Sequence, residues 1–168
     1  KMKDGKKEGK WMVWYNNGTK EEEQNYKDGK KNGLWTWWYE NGKKLSEGTY
    51  KDGKEDGLGI LWYENGKKQV QGTFNDDGRR DGLWTEWYEN GQKQFEGTYK
   101  EGKLDGLWTN WYEHGKKRIE QTNKDGKSIS RKEWNYDGSV KEDEHPSNEH
   151  PSNEHPSNEH PSNEHPSN

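Results

Sequence analysis

The sequence predicts an all-β fold: a single-layer antiparallel meander of tandem β-hairpins. Three observations predict it. A unit of about 24 residues recurs: GLWTWWYENGKKLSEGTYKDGKED (33–56) is followed by GLGILWYENGKKQVQGTFNDDGRRD (57–81), GLWTEWYENGQKQFEGTYKEGKLD (82–105) and GLWTNWYEHGKKRIEQTNKDGKSI (106–129). Two glycine series keep that step, Gly18, Gly42, Gly66, Gly91 and Gly115 in one, Gly29, Gly53, Gly78, Gly102 and Gly126 in the other. Between the glycines the segments alternate and are rich in Trp, Tyr and Thr, the residues that suit a pleated strand. Self-similarity at such a period marks a repeat array, in which each unit buries surface only against its neighbours.

Taken in order, residues 1–32 hold partial, degenerate copies. WMVWYNNG (11–18) aligns with LWYENG at its aromatic end, and Tyr26-Lys27-Asp28-Gly29 aligns with Tyr50-Lys51-Asp52-Gly53. Asp4-Gly5 and Gly9 end a still earlier copy, so the array is expected to have been cut on its N-terminal side.

The array proper runs from 33 to 126. In its first unit LWTWWYE forms the outgoing strand and Asn41-Gly42 stops it. Asn-Gly between such runs predicts a two-residue type I′ turn, since both central residues need positive φ. The equivalent turns are Asn65-Gly66, Asn90-Gly91 and His114-Gly115. KKLSEGTY returns and ends at Lys51-Asp52-Gly53, so each hairpin has a turn at both ends. Counting outward from the turn pairs Glu40 with Lys43, Tyr39 with Lys44, Trp37 with Ser46 and Trp35 with Gly48. The same register sets Leu61 against Val70, Trp84 against Gly97 and Trp108 against Gln121. Each Trp is expected to lie over the glycine opposite, covering backbone that lacks a side chain. The other face carries Leu34, Thr36 and Trp38, with Leu45, Glu47 and Thr49 across from them. Both faces therefore mix aromatic and charged residues, which fits one layer better than a sandwich with a dry interior.

The motif frays at Asn123, and residues 127–143 read as a degenerate cap echoed only by Trp134, Tyr136 and Asp137-Gly138. From Glu144 to Asn168 the chain is EHPSN five times over. Such a tail has nothing to bury and is expected to be disordered.

Composition narrows function. Hydrophobic residues are only 22% of the chain, and aromatics supply 22 of those 37 residues, so any core must be aromatic. Residues 1–143 carry 28 basic against 27 acidic residues. A body so nearly neutral has no cationic excess for phosphates, which excludes nucleic acid as the main partner. There is no cysteine, no apolar run long enough for a membrane helix, and no P-loop, HExxH or nucleophile signature. Glu40, Glu64, Glu89 and Glu113 are one turn position repeated, whereas a catalytic carboxylate pair needs unique residues in a cleft. No enzymatic activity and no cofactor or metal are expected. The tail histidines and the Asp52–Asp56 segment lack the spacing of a compact metal site.

The consensus GxWxxWYENGxKxxEGTYKDGKxDG resembles the MORN repeat and, more closely, its variant, over roughly residues 9–126. Proteins similar to it include the YwqK-like antitoxin components of bacterial toxin-antitoxin modules, and other MORN arrays are membrane-associated scaffolds. The resemblance implies a MORN-type array that binds protein or lipid and has no chemistry of its own. The positions that carry it are Trp35, Trp38, Tyr39, Gly42, Gly48, Tyr50 and Gly53 in the first unit, and Trp62, Tyr63, Gly66 and Gly72 in the second. Trp84, Trp87, Tyr88, Gly91, Gly97, Tyr99 and Gly102 follow in the third, then Trp108, Trp111, Tyr112 and Gly115 in the fourth. Two departures, Gly59 at the Trp35 position and Gln121 at the Gly48 position, are expected to weaken those copies as hairpins. The partner expected is a protein, toxin-like or scaffolded. Anionic lipid headgroups are the alternative, and carbohydrate stacked on exposed Trp a second one.

Overall fold

The computed structural model describes residues 1–142. The EHPSN tail and its expected disorder lie outside the described residues. Fourteen strands follow in chain order: β1 Met2–Lys3, β2 Lys6–Lys7, β3 Gly9–Trp14, β4 Lys20–Lys27, β5 Lys30–Lys31, β6 Gly33–Trp38 and β7 Lys44–Lys51. They continue with β8 Lys54–Trp62, β9 Lys68–Phe74, β10 Gly82–Trp87, β11 Lys93–Lys100, β12 Lys103–Trp111, β13 Lys117–Lys124 and β14 Lys127–Glu133.

Twelve of these strands form one open antiparallel sheet in the order of the chain, from β3 to β14, with short β5 beside β4. Strands β1 and β2 pair as a separate ribbon at the N-terminal end. The sheet is the single-layer meander expected, and the described residues contain no helix. Trp35 and Trp84 are the only buried apolar side chains among the described residues, at 3% and 6% exposure. A core this thin is a row of rings lying along one face.

Beyond the turn the strand register agrees with the count, but the two pairs next to it do not: Lys44 pairs with Trp38 rather than Tyr39, and Glu40 lies in the loop rather than opposite Lys43. Trp35 pairs with Gly48, Trp37 with Ser46, Leu61 with Val70, Trp84 with Gly97 and Trp108 with Gln121. The turn itself differs. Gly42 donates its N–H to the Tyr39 carbonyl and Tyr39 donates to the Lys43 carbonyl, so three residues, Glu40 to Gly42, form the loop. Gly42 has φ of 81°, while Asn41 is not among the positive-φ residues. Such a loop is the three-residue hairpin with a left-handed glycine at its third position. Its extra residue is cancelled by a bulge at Leu45, since Trp38 pairs with Lys44 and Trp37 with Ser46. Asn41 stays out of the left-handed region, and its side chain is committed. Its Oδ1 accepts from the Lys43 N–H, and its Nδ2 donates to the Glu64 carbonyl of the next unit.

The two-residue turns with positive φ at both positions lie at the opposite edge. Asp52 and Gly53 have φ of 50° and 91°, between Lys51 and Lys54. The unit that steps by 25 residues uses three, Asp76 to Gly78, with Gly78 donating to the Asn75 carbonyl. The insertion is thereby confined to a loop and leaves the sheet register intact.

Candidate binding surface

Two spines of turns hold the units in step. Along the first, Tyr15, Tyr39, Tyr63, Tyr88 and Tyr112 each donate a phenol hydrogen bond, 2.6–2.9 Å long, to the carbonyl of Trp38, Trp62, Trp87, Trp111 and Trp134 in the next unit. The turn glutamates take part through their backbone: the Asn41, Asn65 and Asn90 amides donate to the carbonyls of Glu64, Glu89 and Glu113. Burial, and then the nearby turn glutamate, raise the phenol pKa of Tyr39 and Tyr63 above the ordinary value. Tyr88 is raised by burial and pulled back in part by Arg118. In the second spine Gly29, Gly53 and Gly102 donate to the carbonyls of Lys7, Lys31 and Arg80 in the preceding unit. Gly42, Gly66, Gly91 and Gly115 serve the first spine, and Gly53 and Gly102 the second.

One face of the sheet carries the ring row. Trp35 packs against Tyr26, Trp37 and Tyr50 at centroid distances of 5.1, 5.5 and 5.5 Å. Trp84 lies between Phe74 at 5.4 Å and Tyr99 at 6.2 Å. Trp35 and Trp84 do not cover the glycines opposite them, contrary to the expectation from pairing. The Trp84 ring lies over Gly72 on the preceding hairpin, so close that a Cβ there would sit 1.9 Å from its Cε3. The space above Gly97 is already taken by Phe95, Leu104 and the Cβ of Trp108. Gly48 has no Trp over it: the nearest atom to a Cβ there is Cε2 of Tyr50, at 3.7 Å.

A cation caps the rings in three units, a feature that pair counting did not find. Lys7 lies 5.0 Å from the Trp11 ring and 4.7 Å from Tyr26. Lys31 lies 4.2 Å from Trp35 and 4.8 Å from Tyr50, and Arg80 4.1 Å from Trp84 and 5.3 Å from Tyr99. The signal was in the sequence as a column one repeat apart, Lys7, Lys31, Glu55, Arg80 and Leu104.

The departures do not break their hairpins. Gly59 pairs with Gly72 and Trp108 with Gln121 in full register. What changes is the filling. Gln121 donates to Asn123 Oδ1 and accepts from Arg131, so the ring row ends in a polar network. Beside Gly59 a cavity of about 150 Å³ opens.

The opposite face carries Trp38, Trp62, Trp87, Trp111 and Trp134, each beneath a lysine of the preceding return strand at 5.0–6.0 Å. Four of those lysines, Lys20, Lys44, Lys93 and Lys117, are also ion-paired three residues along, to Glu23, Glu47, Glu96 and Glu120. Beside them runs a line of leucines, Leu34, Leu58, Leu83 and Leu107, 45–59% exposed. Among the described residues no cluster of three or more His, Asp or Glu stands close enough to hold a metal ion. The ring row is tilted or edge-on, with interplanar angles of 37–88° from Trp35 to Trp108, so it offers no coplanar platform for a sugar.

No curated protein matches the chain. A family model described as the MORN repeat variant matches residues 7–28, 31–52, 55–76, 80–101 and 104–125. These are five tandem units, the first of them within residues read above as degenerate. They span more than half of the 168 residues, and the chain belongs to the MORN repeat variant family.

Proposed function

We propose that the chain is a non-catalytic scaffold that holds a protein partner along its leucine-bearing face, with the antitoxin half of a toxin-antitoxin pair as its most concrete form. The observation that carries the reading is the leucine line. Leu34, Leu58, Leu83 and Leu107 occupy one position of four successive units and stay exposed. Each hairpin adds two strands, so the line advances by about 10 Å per leucine. A periodic apolar line rimmed by charge is the kind of surface that marks an interaction site. The antitoxin form rests on the likeness of the repeat to YwqK-like proteins.

The lysines on this face favour a second reading, attachment to anionic lipid headgroups. Ion pairing of Lys20, Lys44, Lys93 and Lys117 to glutamates removes most of that attraction, and for that reason protein is preferred. Co-purification with the product of the adjacent reading frame, set beside flotation with acidic liposomes, tests the choice. A stoichiometric complex that dissociates when Leu58 and Leu83 are both changed to Glu supports the scaffold. Flotation without any complex replaces it by the lipid reading.

A further inference from the structure

The cavity at Gly59 lies where the repeat has changed three linked positions at once. In the units on either side a cation, an indole and a phenol form one stack: Lys31 over Trp35 beside Tyr50, and Arg80 over Trp84 beside Tyr99. The unit between them has Glu55, Gly59 and Phe74 at the same positions. Carried over by one repeat, the Trp84 arrangement places the missing ring over Gly48, between Tyr50 and Phe74 and below Glu55. Those four residues line the cavity. Its floor is backbone at Gly48 and Gly59, which pair side by side, while Gly72 on the next strand is covered by the Trp84 ring.

The space is therefore flat and walled by aromatic rings, yet the charge above it is reversed. A cation over an indole is attracted by the negative face of the ring. A carboxylate over the same face is repelled, so a neutral indole is the wrong guest beneath Glu55. A planar group that carries positive charge satisfies both the shape and the sign. Among side chains that is the guanidinium, which stacks on aromatic faces and binds carboxylates through its fork of N–H donors. Glu55 is exposed and has no ion pair among the described residues, while Lys31 and Arg80 each already lie over the ring of their own unit.

We propose that the Gly48–Gly59 slot is a binding site for an arginine side chain presented by a polypeptide partner, inserted between Tyr50 and Phe74 and paired to Glu55. This rests on the protein-binding reading above and extends it from the leucine-bearing face to the ring-row face, which the partner's arginine reaches around an edge of the sheet.

N-acetyl-arginine amide is the probe, titrated into the ¹⁵N-labelled full chain with N-acetyl-lysine amide and indole in parallel. Expected are saturable shifts centred on the Gly48 and Gly59 amides with arginine, weaker ones with lysine and none with indole. Glu55→Gln should weaken arginine by about 10-fold or more, as loss of a charge-assisted pair does. Gly59→Trp should abolish it by refilling the slot with the array's own indole. Should Gly59→Trp fail to fold, Glu55→Lys decides: it restores the charge of the flanking units and should switch preference from arginine to indole. Indole binding to the unaltered chain as tightly as arginine overturns the proposal. So do arginine shifts indifferent to Glu55→Gln, and so does the absence of any saturable arginine shift. The two readings fail separately. A partner complex lost on leucine substitution but untouched by Glu55→Lys sinks the slot alone, and arginine binding in a chain that forms no complex sinks the scaffold alone.

Discussion

Three glycines paired side by side, Gly48, Gly59 and Gly72, should answer the same substitution in three different ways. All three are extended, outside the left-handed region, so alanine meets no backbone strain at any of them. A Cβ on Gly72 would lie 1.9 Å from Trp84 Cε3 and 2.5 Å from two further ring atoms. That ring is buried and wedged between Phe74 and Tyr99 with Arg80 against it, so it cannot swing aside without losing those contacts. Overpacking of about 1–3 kcal/mol and loss of an aromatic pair worth about 0.5–1.5 kcal/mol together set a destabilisation of roughly 2–4 kcal/mol. Gly48→Ala meets nothing nearer than 3.7 Å and should stabilise by up to about 0.5–1 kcal/mol, because glycine in a strand interior loses more conformational freedom on folding. At Gly59 the nearest atom is Phe74 Cε2 at 3.2 Å. A small movement of that ring should leave Gly59→Ala between the other two. At about 2–4 °C per kcal/mol, thermal melts separate Gly72→Ala from Gly48→Ala by roughly 5 °C or more. Stability in a repeat array passes only between neighbours, so hydrogen exchange should show the loss concentrated in residues 57–105. Equal melting points for Gly48→Ala and Gly72→Ala would refute the placement of Trp84 and, with it, the open slot over Gly48.

Gly42→Val should cost several times more than Lys43→Val in urea unfolding, since Gly42 holds φ of 81° while Lys43 contributes one exposed hydrogen bond from Nζ to the Asn65 carbonyl; equal tolerance would mean that the loop has no left-handed glycine. Tyr63→Phe removes the 2.7 Å bond to the Trp87 carbonyl and should destabilise by about 0.5–1.5 kcal/mol, with faster exchange at the 57–81 and 82–105 boundary; an unchanged melt would show that the tyrosine spine does not couple units. The phenols of Tyr39, Tyr63 and Tyr88 have folded pKa values raised above the unfolded value of 10.0. Their contribution is therefore fully present below pH 10.0 and is lost as pH rises through the folded values. Melts should be independent of these groups up to that pH and fall above it, and stability that rises above pH 10 would contradict the sign.

The sequence by itself determined the repeat, the hairpin and the strand pairing. Alternation along a strand decides which side chains share a face, and the recurring glycines pin one strand against the next, so Trp35 opposite Gly48 follows from counting. It survived a wrong turn assignment because the three-residue loop and the bulge at Leu45 cancel. The departures at Gly59 and Gln121 were legible in the same way, as breaks in a column. Only the tertiary structure decided which glycine each Trp covers. A ring can lean toward either neighbouring strand, and at Trp84 the choice falls on Gly72 because Phe95 and Leu104 already fill the space over Gly97. The cations above the rings were decided there too: Lys31 and Trp35 are four residues apart, and only the break between β5 and β6, at Asn32 and the left-handed Gly33, brings the lysine over the indole. The slot at Gly48 and Gly59 is the joint result. A substitution visible in the sequence becomes a cavity only because the rings on either side are held in place by their own units.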